Sequence, residues 1–305
     1  MFIDRDDSID SLMIQMDPLL KSTTNFKIAA NKKGYSQNVK PGKYKLNKGL
    51  GNNEIINVLR SKRLTVKVVF NNQERLEDLA GRISQQIEAD SLSLITAFKD
   101  AEFLSANGFT LDNAMSLYLP NSYDLFWDTT AETFREKMLS YYERFWNASR
   151  RAKAKALNLT PQEVYILASI VQKESPKRAE QPRLAGAYLN RLKRRIKLQA
   201  DPTVIFAMKK TSGNFDLVIK RVLLKDLKIR SPYNTYRVNG LPPGPINNPG
   251  SQSIKAALYP ADTNFLYFVA QGDGSHVFTT NQKDHLEAKR LYKKFKREKF
   301  LGLWL

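Results

Sequence analysis

The sequence predicts an α+β fold with short antiparallel strands, and three observations indicate it. Amphipathic patterns with helical spacing run through much of the chain. Segments rich in β-branched and aromatic residues are short, as in residues 64–70, 266–270 and 276–280. Residues 271–275, Gln-Gly-Asp-Gly-Ser, join the last two segments as a hairpin, so the pattern differs from the strand-helix-strand alternation of a parallel sheet.

The first half of the chain predicts a mixture of short strands and helices. In order, we expect a leader over residues 1–22, short strands at 26–30 and 40–46, a helix over 54–60, a strand over 64–70, helices over 76–89 and 92–104, an aromatic-flanked turn at 118–123 and one long helix over 131–155. A basic run begins near residue 150 and leads to a strongly apolar helix. We therefore place a domain boundary there.

The helix that follows this boundary carries the main chemical signal. Thr160 and Glu163 have the spacing of a capping box, and Pro161 occupies the first helical position, where its missing N–H does no harm. Apolar residues then recur at helical spacing at Val164, Leu167, Ala168 and Val171. Glu174 is the next position on that face. The helix ends at Ser175 because the residue before a proline is biased away from the helical conformation.

Glu174 is a candidate general acid. Burial disfavours the charged carboxylate, and the negative end of the helix dipole acts in the same direction, so its pKa should be raised. A carboxyl that stays neutral near pH 7 can donate a proton. The structural alternative is a Glu whose stem packs inward while its carboxylate pairs with a Lys or Arg at the helix end.

Composition narrows the possible functions. The formal net charge of +19 favours a polyanionic partner, which includes nucleic acid, an anionic membrane surface and an acidic wall polymer. With no cysteine and two histidines, thiolate zinc sites, thiol nucleophiles and histidine-rich metal sites are disfavoured. The longest apolar run, residues 164–171, is far shorter than the ~20 residues that a membrane span requires.

The remaining elements supply further candidate residues. A helix follows Pro182, and another begins with Asp201 as its N-cap and Pro202 at its first position. Residues 231–250 lack hydrophobic periodicity and are rich in proline, asparagine and glycine, as expected of an ordered functional loop or a rigid connector. Ser251 is predicted to cap a helix, and Asn281 to cap a final basic helix. His276 lies on the second hairpin strand, where a single histidine is packed more often than catalytic.

The motifs of the second half resemble one family. They are LASIVQKES at 167–175, AYLNRL at 187–192, LQADPTVIFA at 198–207, SPYNTY at 231–236, GLPPGPINNPG at 240–250, and LYFVA with GSHVFTTN at 266–281. In this order they resemble the YceG-like endolytic murein transglycosylases (MltG). The family's LysM-like subdomain is resembled by residues 40–46, KPGKYKL, and the helix after them. Residues 118–123 resemble a degenerate form of the family's Pro-Asp-Thr-Tyr segment. The resemblance implies a leader at 1–22, a LysM-like subdomain at 23–63, a linking α/β region at 64–150 and a catalytic domain at 151–305.

The resemblance also implies an activity. The substrate would be peptidoglycan, cleaved within a glycan strand at the β-1,4 bond from N-acetylmuramic acid to N-acetylglucosamine, with a 1,6-anhydro end as product. The family's catalytic Glu corresponds to Glu174, while Gln172 stands where a Glu is common in the family. Residues expected to bind or orient the sugar are Gln199, Asp201, Asn234, Thr235 and His276. No cofactor or metal is implied.

Location and partners are further expectations from the resemblance. The family implies the periplasmic face of the bacterial inner membrane, association with wall-synthesis proteins, and a single N-terminal membrane anchor that this chain does not contain. Three alternatives remain open: a wall-binding protein without activity, a muramidase-type hydrolase with Asp201 as second carboxylate, and a basic nucleic-acid binder. The last is disfavoured because the sequence has no recognisable nucleic-acid-binding motif.

Overall fold

The computed structural model describes the backbone of residues 1–300 and the side chains of residues 1–297. The chain forms two compact units. The first contains Met1–Phe70, Leu76–Phe98 and Asn121–Lys137, and the second contains Asn71–Arg75, Lys99–Pro120 and the chain from Met138 onward. The chain therefore passes between the units several times instead of dividing once near residue 150. Residues 301–305 of the predicted catalytic domain lie outside the described residues.

Helices and short strands alternate irregularly through the first part of the chain. In order they are β1 (Phe2–Ile3), α1 (Ile9–Met16), α2 (Thr23–Lys32), β2 (Gly42–Lys43), α3 (Asn52–Ser61), β3 (Thr65–Phe70), α4 (Leu76–Ser84), α5 (Ser91–Phe98), α6 (Ala101–Ala106), β4 (Asn121–Phe126) and α7 (Ala131–Phe145). β1 pairs antiparallel with β2, and β3 pairs antiparallel with β4. The predicted helix near 54–60 and strand near 64–70 are confirmed.

A hydrophobic core in the first unit includes the extreme N-terminal residues. Ile3, Leu12 and Met16 are fully buried together with residues of α2 and α3, so residues 1–22 are part of a packed domain. The predicted strand at 26–30 is wrong, since these residues lie in α2, where the side chain of Ser22 accepts a hydrogen bond from the Asn25 N–H. Phe26 and Ala30 are four residues apart and both buried, which is helical spacing that a short window fails to distinguish from a strand.

Three other expectations in this part of the chain differ from the structure. Residues 121–126 form β4, paired residue by residue with β3, although Asn, Ser and Asp are poor strand formers. The predicted helix over 92–104 is split into α5 and α6, and Asp100 caps the second by accepting from the Phe103 N–H. The long helix over 131–155 is likewise split after Phe145, because Asn147 caps a new helix by accepting from the Arg150 N–H.

The second unit is built around one helix. Its remaining elements are α8 (Ala148–Ala156), α9 (Pro161–Glu174), α10 (Gln181–Lys193), α11 (Asp201–Ser212), α12 (Ser251–Leu258), β5 (Tyr267–Ala270), β6 (His276–Thr279) and α13 (Gln282–Phe300). α9 packs against α8, α10, α11 and α12, and residues 164–171 are consecutively buried. A helix buried on all sides has no polar face to orient it, so its neighbours determine its rotation.

The C-terminal elements follow the predictions closely. β5 and β6 form the predicted antiparallel hairpin, with Tyr267 opposite Thr279. Asn281 caps α13 as predicted, since its Oδ1 accepts from the Asp284 N–H. The N-cap of α12, however, is Gly250 rather than Ser251. Within residues 1–300, no helix is both long and apolar enough to cross a bilayer.

Candidate active site

A capping box fixes the start of α9, and the residue before a proline fixes its end. The Thr160 side chain accepts from the Glu163 N–H at 3.2 Å, and the Glu163 carboxylate accepts from the Thr160 N–H at 2.8 Å, as predicted. The backbone becomes extended at Ser175, before Pro176. Glu174 is thus the last residue of a rigid, buried helix, and its carboxyl has a defined position.

Glu174 lines a pocket of about 360 Å³ in the second unit, within the usual volume range of small-molecule sites. The lining combines acidic, basic and aromatic side chains from α9, α10, β5, α13 and the segments near α11. It consists of Glu174, Arg191, Gln199, Asp201, Tyr236, Tyr267, Phe268, Gln282, His285, Leu286 and Lys289. The carboxyl therefore lies at a cavity that a ligand can enter.

The pKa of Glu174 is raised to about 8. Burial is the largest cause, the negative charge of Asp201 raises it further, and the Tyr188 hydroxyl opposes both. Oε2 of Glu174 is buried and has no hydrogen-bond partner within the described residues. The neighbouring Lys173 pairs with Glu74 at 2.8 Å instead. The ion pair that formed the structural alternative for Glu174 is therefore not observed among residues 1–297.

Tyr188 contacts the candidate acid and was not among the predicted site residues. It lies on α10, is fully buried, and its hydroxyl interacts with the carboxyl of Glu174. Burial and the nearby Glu174 charge raise the pKa of Tyr188 well above its usual value, so the phenol stays protonated. A tyrosine at a core position of a helix could have indicated this site from the sequence, because a buried hydroxyl needs a polar neighbour.

Asp201 lines the pocket but is not the N-cap of α11. The N-cap is Ala200, and Asp201 is the first helical residue. Its Oδ1 accepts a 2.6 Å hydrogen bond from the Tyr236 hydroxyl. The predicted cap is wrong because the side chain is directed to the loop at residues 231–250 instead of to its own helix.

Gln199 also lines the pocket, as predicted, in an unusual conformation. Its φ is +52°, the left-handed region that non-glycine residues seldom adopt. Its N–H donates to the Thr235 carbonyl at 3.1 Å, and its Oε1 accepts from Nη2 of Arg191 at 2.7 Å. Contacts on both sides thus hold a strained backbone in place, a pattern that is common at functional sites.

Asn234 and Thr235 lie beneath the pocket, outside its lining. Both are fully buried. Asn234 Nδ2 donates to the carbonyls of Leu227 and Ile229, at 3.0 and 2.9 Å, and Thr235 Oγ1 accepts from the Ala200 N–H at 3.0 Å. Neither residue is part of the lining. Their polar atoms satisfy the backbone of the loop and of the segment leading into α11, which is an orienting position.

His276 does not line the pocket but contacts a residue that does. Its Nδ1 lies 3.0 Å from Oε2 of Glu180, and its backbone N–H donates to Oε1 of the same carboxylate at 2.8 Å. Its ring packs edge-on against Phe268, which does line the pocket, with centroids 5.5 Å apart. His276 is therefore not among the residues that line the pocket, and Glu180 holds its imidazole.

Gln172, the departure from the common family pattern, has a structural position. Its Oε1 accepts from the Gly250 N–H at 2.7 Å and from the Ser253 hydroxyl at 3.0 Å. It joins α9 to the start of α12 and does not line the pocket of Glu174. Gln172 therefore has a structural role away from the pocket that Glu174 lines.

The fold and the site together define an α+β protein with a buried carboxyl of raised pKa in a pocket with aromatic walls, a class of site suited to general acid–base chemistry. Residues 1–291 match the model of the YceG-like family, and the chain belongs to this family. A Bacillus subtilis relative, named endolytic murein transglycosylase, is 31% identical over 308 residues, covering 94% of this chain and 82% of the relative.

Two further similarities agree with this membership. A Streptococcus pneumoniae relative with the same name is 33% identical over 168 residues, which cover 54% of this chain and 30% of the relative. The crystal structure of a putative yceG-like protein from Listeria monocytogenes superposes with a TM-score of 0.61 at 25% identity, covering 94% of this chain and 97% of that one. The predicted α+β fold class is thereby confirmed.

Proposed function

We propose that this protein is an endolytic lytic transglycosylase of peptidoglycan, with Glu174 as its single general acid and base. The observation that carries the proposal is the raised pKa of Glu174, about 8, at an accessible pocket. A carboxyl of this kind is protonated at neutral pH and ready to donate. The names of the relatives from Bacillus subtilis and Streptococcus pneumoniae support murein as the substrate.

The first chemical step is protonation of the leaving group. Glu174 gives its proton to the glycosidic oxygen, and the bond between that oxygen and C1 of N-acetylmuramic acid breaks, with its electron pair going to the oxygen. The departing N-acetylglucosamine leaves with a 4-hydroxyl. Positive charge develops at C1, where the negative charge of Asp201, a lining residue of the same pocket, offers electrostatic stabilisation.

The second step uses a nucleophile from the substrate itself. Glu174, now a carboxylate, removes the proton from the C6 hydroxyl of N-acetylmuramic acid, and O6 bonds to C1. The product is a 1,6-anhydro end, and Glu174 is protonated again for the next cycle. Because water does not react, the second carboxylate that most glycoside hydrolases use is unnecessary.

The rest of the lining suits a sugar chain. Tyr267 and Phe268 contribute aromatic side chains to the lining, which also contains the polar residues Gln199, Asp201 and Tyr236. Apolar faces with a few placed polar groups are the usual composition of small-molecule sites. Since murein lies outside the cytoplasmic membrane, the proposed activity operates on that side of it, consistent with a periplasmic-face location.

Mass spectrometry of digested glycan strands tests the proposal. We expect internal cleavage with 1,6-anhydro ends by the wild type and loss of cleavage in Glu174→Gln. The control is Glu287→Gln, which should retain cleavage, because the Glu287 carboxylate pairs with Arg290 on α13 outside the pocket. Reducing ends would instead indicate a hydrolase with Asp201 activating water. Strand binding without any cleavage by the wild-type protein would indicate a wall-binding protein.

A further inference from the structure

Arg191 is a buried cation without a carboxylate partner among the described residues. On α10 it is 6% exposed, and its Nη2 donates to the neutral amide oxygen of Gln199 at 2.7 Å. Its guanidinium lies 5.5 Å from the ring centroid of Tyr267. Within residues 1–297 the arginine ion pairs involve other arginines, and the buried Nε of Arg191 has no hydrogen-bond partner there. A buried charge is normally paired, because removal from water is otherwise unfavourable.

A second cation lines the same pocket. Lys289, an exposed residue of α13, is a lining residue and forms no ion pair within the part of the chain that the structure describes. His285 lies near both cations, since after burial it is the charges of Lys289 and Arg191 that lower the pKa of its imidazole. His285 also stacks on Tyr267, with centroids 5.0 Å apart. The pocket thus has a basic part in addition to the acidic part formed by Glu174 and Asp201.

We propose that Arg191 and Lys289 form an anion-binding subsite of the pocket, which binds a carboxylate of the glycan strand while Glu174 acts on the glycosidic bond. The inference rests on the proposed function for the identity of the strand. Arg191 lines the pocket, and a guanidinium with no carboxylate partner among the described residues is suited to a ligand carboxylate, because its planar donors match two carboxylate oxygens. Gln199 holds Nη2 of Arg191, and the guanidinium lies over the ring of Tyr267.

Peptidoglycan offers this carboxylate from two sources. In strands without stem peptides, the lactyl group of each N-acetylmuramic acid ends in a free carboxylate. In peptide-bearing strands that group is an amide, and the carboxylates belong to the peptide. Both sources present the same chemistry to Arg191 and Lys289, and the choice between them determines whether peptide-free or peptide-bearing strands bind more tightly.

Binding to the non-cleaving Glu174→Gln protein is the direct test. Titration calorimetry compares four soluble probes: peptide-free strands, peptide-bearing strands, and the methyl ester of each. We expect the acid form of one strand type to bind about tenfold or more tightly than its ester, the size of effect that a charged hydrogen bond supports. A difference confined to peptide-free strands identifies the lactyl carboxylate, and one confined to peptide-bearing strands identifies the stem peptide.

Matched substitutions show whether the two named cations cause the difference. In the same background, Arg191→Gln and Lys289→Gln should each reduce the preference for acid over ester. Lys289→Gln keeps the test valid if Arg191→Gln fails to fold, because Lys289 is exposed. The control is Lys293→Gln, an exposed lysine of α13 outside the lining, which should keep the preference.

The results separate this inference from the proposed function. Equal affinity for acids and esters, absence of binding to either acid strand, or an equal loss of preference in Lys293→Gln would each overturn the subsite. A clear dependence on Arg191 and Lys289 in a protein whose wild type does not cleave murein would support the subsite while rejecting the transglycosylase assignment.

Discussion

Glu174 and Asp201 line one pocket, and the negative charge of Asp201 raises the pKa of the Glu174 carboxyl beyond the larger effect of burial. Asp201 in turn accepts a 2.6 Å hydrogen bond from the Tyr236 hydroxyl. The two carboxyl groups thus have different environments: Oε2 of Glu174 is buried and has no hydrogen-bond partner among the described residues, whereas Asp201 is exposed and hydrogen-bonded. Such a difference lets one carboxyl hold a proton while the other stays charged.

Activity should decrease on the alkaline side as Glu174 loses its proton. Since a carboxyl with a pKa of about 8 is protonated below that value, we expect kcat/KM to be level near neutral pH and to fall about tenfold per unit well above pH 8. The measurement is the release of soluble fragments from glycan strands between pH 5 and 10. A decline already complete by pH 6 would contradict the assignment of Glu174 as the acid.

Asp201→Asn should move the alkaline decline to lower pH. The substitution removes the negative charge that raises the pKa of Glu174, while the Asn side-chain oxygen can still accept from Tyr236. Because Asp201 does not cap α11, we expect a change in unfolding free energy below about 1 kcal/mol. The pH profile and urea denaturation of the variant check both parts. A decline that stays in place would show that the two carboxyl groups are not coupled.

Tyr188→Phe should move the alkaline decline in activity to higher pH. The hydroxyl interaction with Tyr188 lowers the pKa of Glu174, so its removal leaves burial and Asp201 less opposed. The matched control is Tyr165→Phe, which removes another buried hydroxyl in the second unit, one that donates to the Tyr118 carbonyl at 3.1 Å. The control should keep the wild-type pH profile. The same shift in both variants would indicate a general packing effect.

Glu174→Gln should be more stable than the wild type at alkaline pH. The folded pKa of Glu174, about 8, exceeds its ordinary value of 4.5, so wild-type stability is lost as pH rises through this window. The Gln side chain does not titrate. The unfolding free energy of the variant relative to the wild type should therefore increase from pH 4.5 to 8, reaching on the order of a few kcal/mol. Urea denaturation at several pH values measures it.

Glu180→Gln should change the pH dependence of stability in the opposite direction. The hydrogen bonds from His276 outweigh burial and lower the pKa of Glu180, so its ionised form stabilises the fold above the ordinary value of 4.5. That variant should lose stability relative to wild type as pH rises from the lowered folded pKa of Glu180 to about 4.5, and the difference should stay constant above that value. Equal trends in the two variants would contradict the opposite shifts.

Gly244→Ala should destabilise the second unit. A Cβ at this position would lie 1.8 Å from the backbone oxygen of Asp112, a contact that only a backbone shift can relieve. We expect a loss of roughly 1–3 kcal/mol in the free energy of unfolding. The control is Gly81→Ala in α4, where an added Cβ meets nothing within 4 Å and the helix should gain up to ~1 kcal/mol. Thermal melting of both variants measures these changes in stability.

Local sequence signals predicted the part of the site that lies on one helix. The capping box of Thr160 and Glu163, the apolar spacing of α9 and the break at Ser175-Pro176 together placed Glu174 at the helix end on its inner face. The same kind of signal predicted the β5–β6 hairpin and the cap at Asn281. These features depend on neighbours a few residues apart, so the printed sequence contains the information.

Only the tertiary structure decided which distant residues meet Glu174. Tyr188, Arg191 and Lys289 reach its pocket or its carboxyl from other helices, whereas the predicted Asn234 and Thr235 are used inside a loop. A residue's spacing shows which face of its own helix it occupies, but the rotation and packing of neighbouring helices determine what that face contacts. The sequence by itself therefore determined the candidate acid and its helix, while long-range packing determined the pKa of Glu174, the positions of the nearby cations and the shape of the pocket.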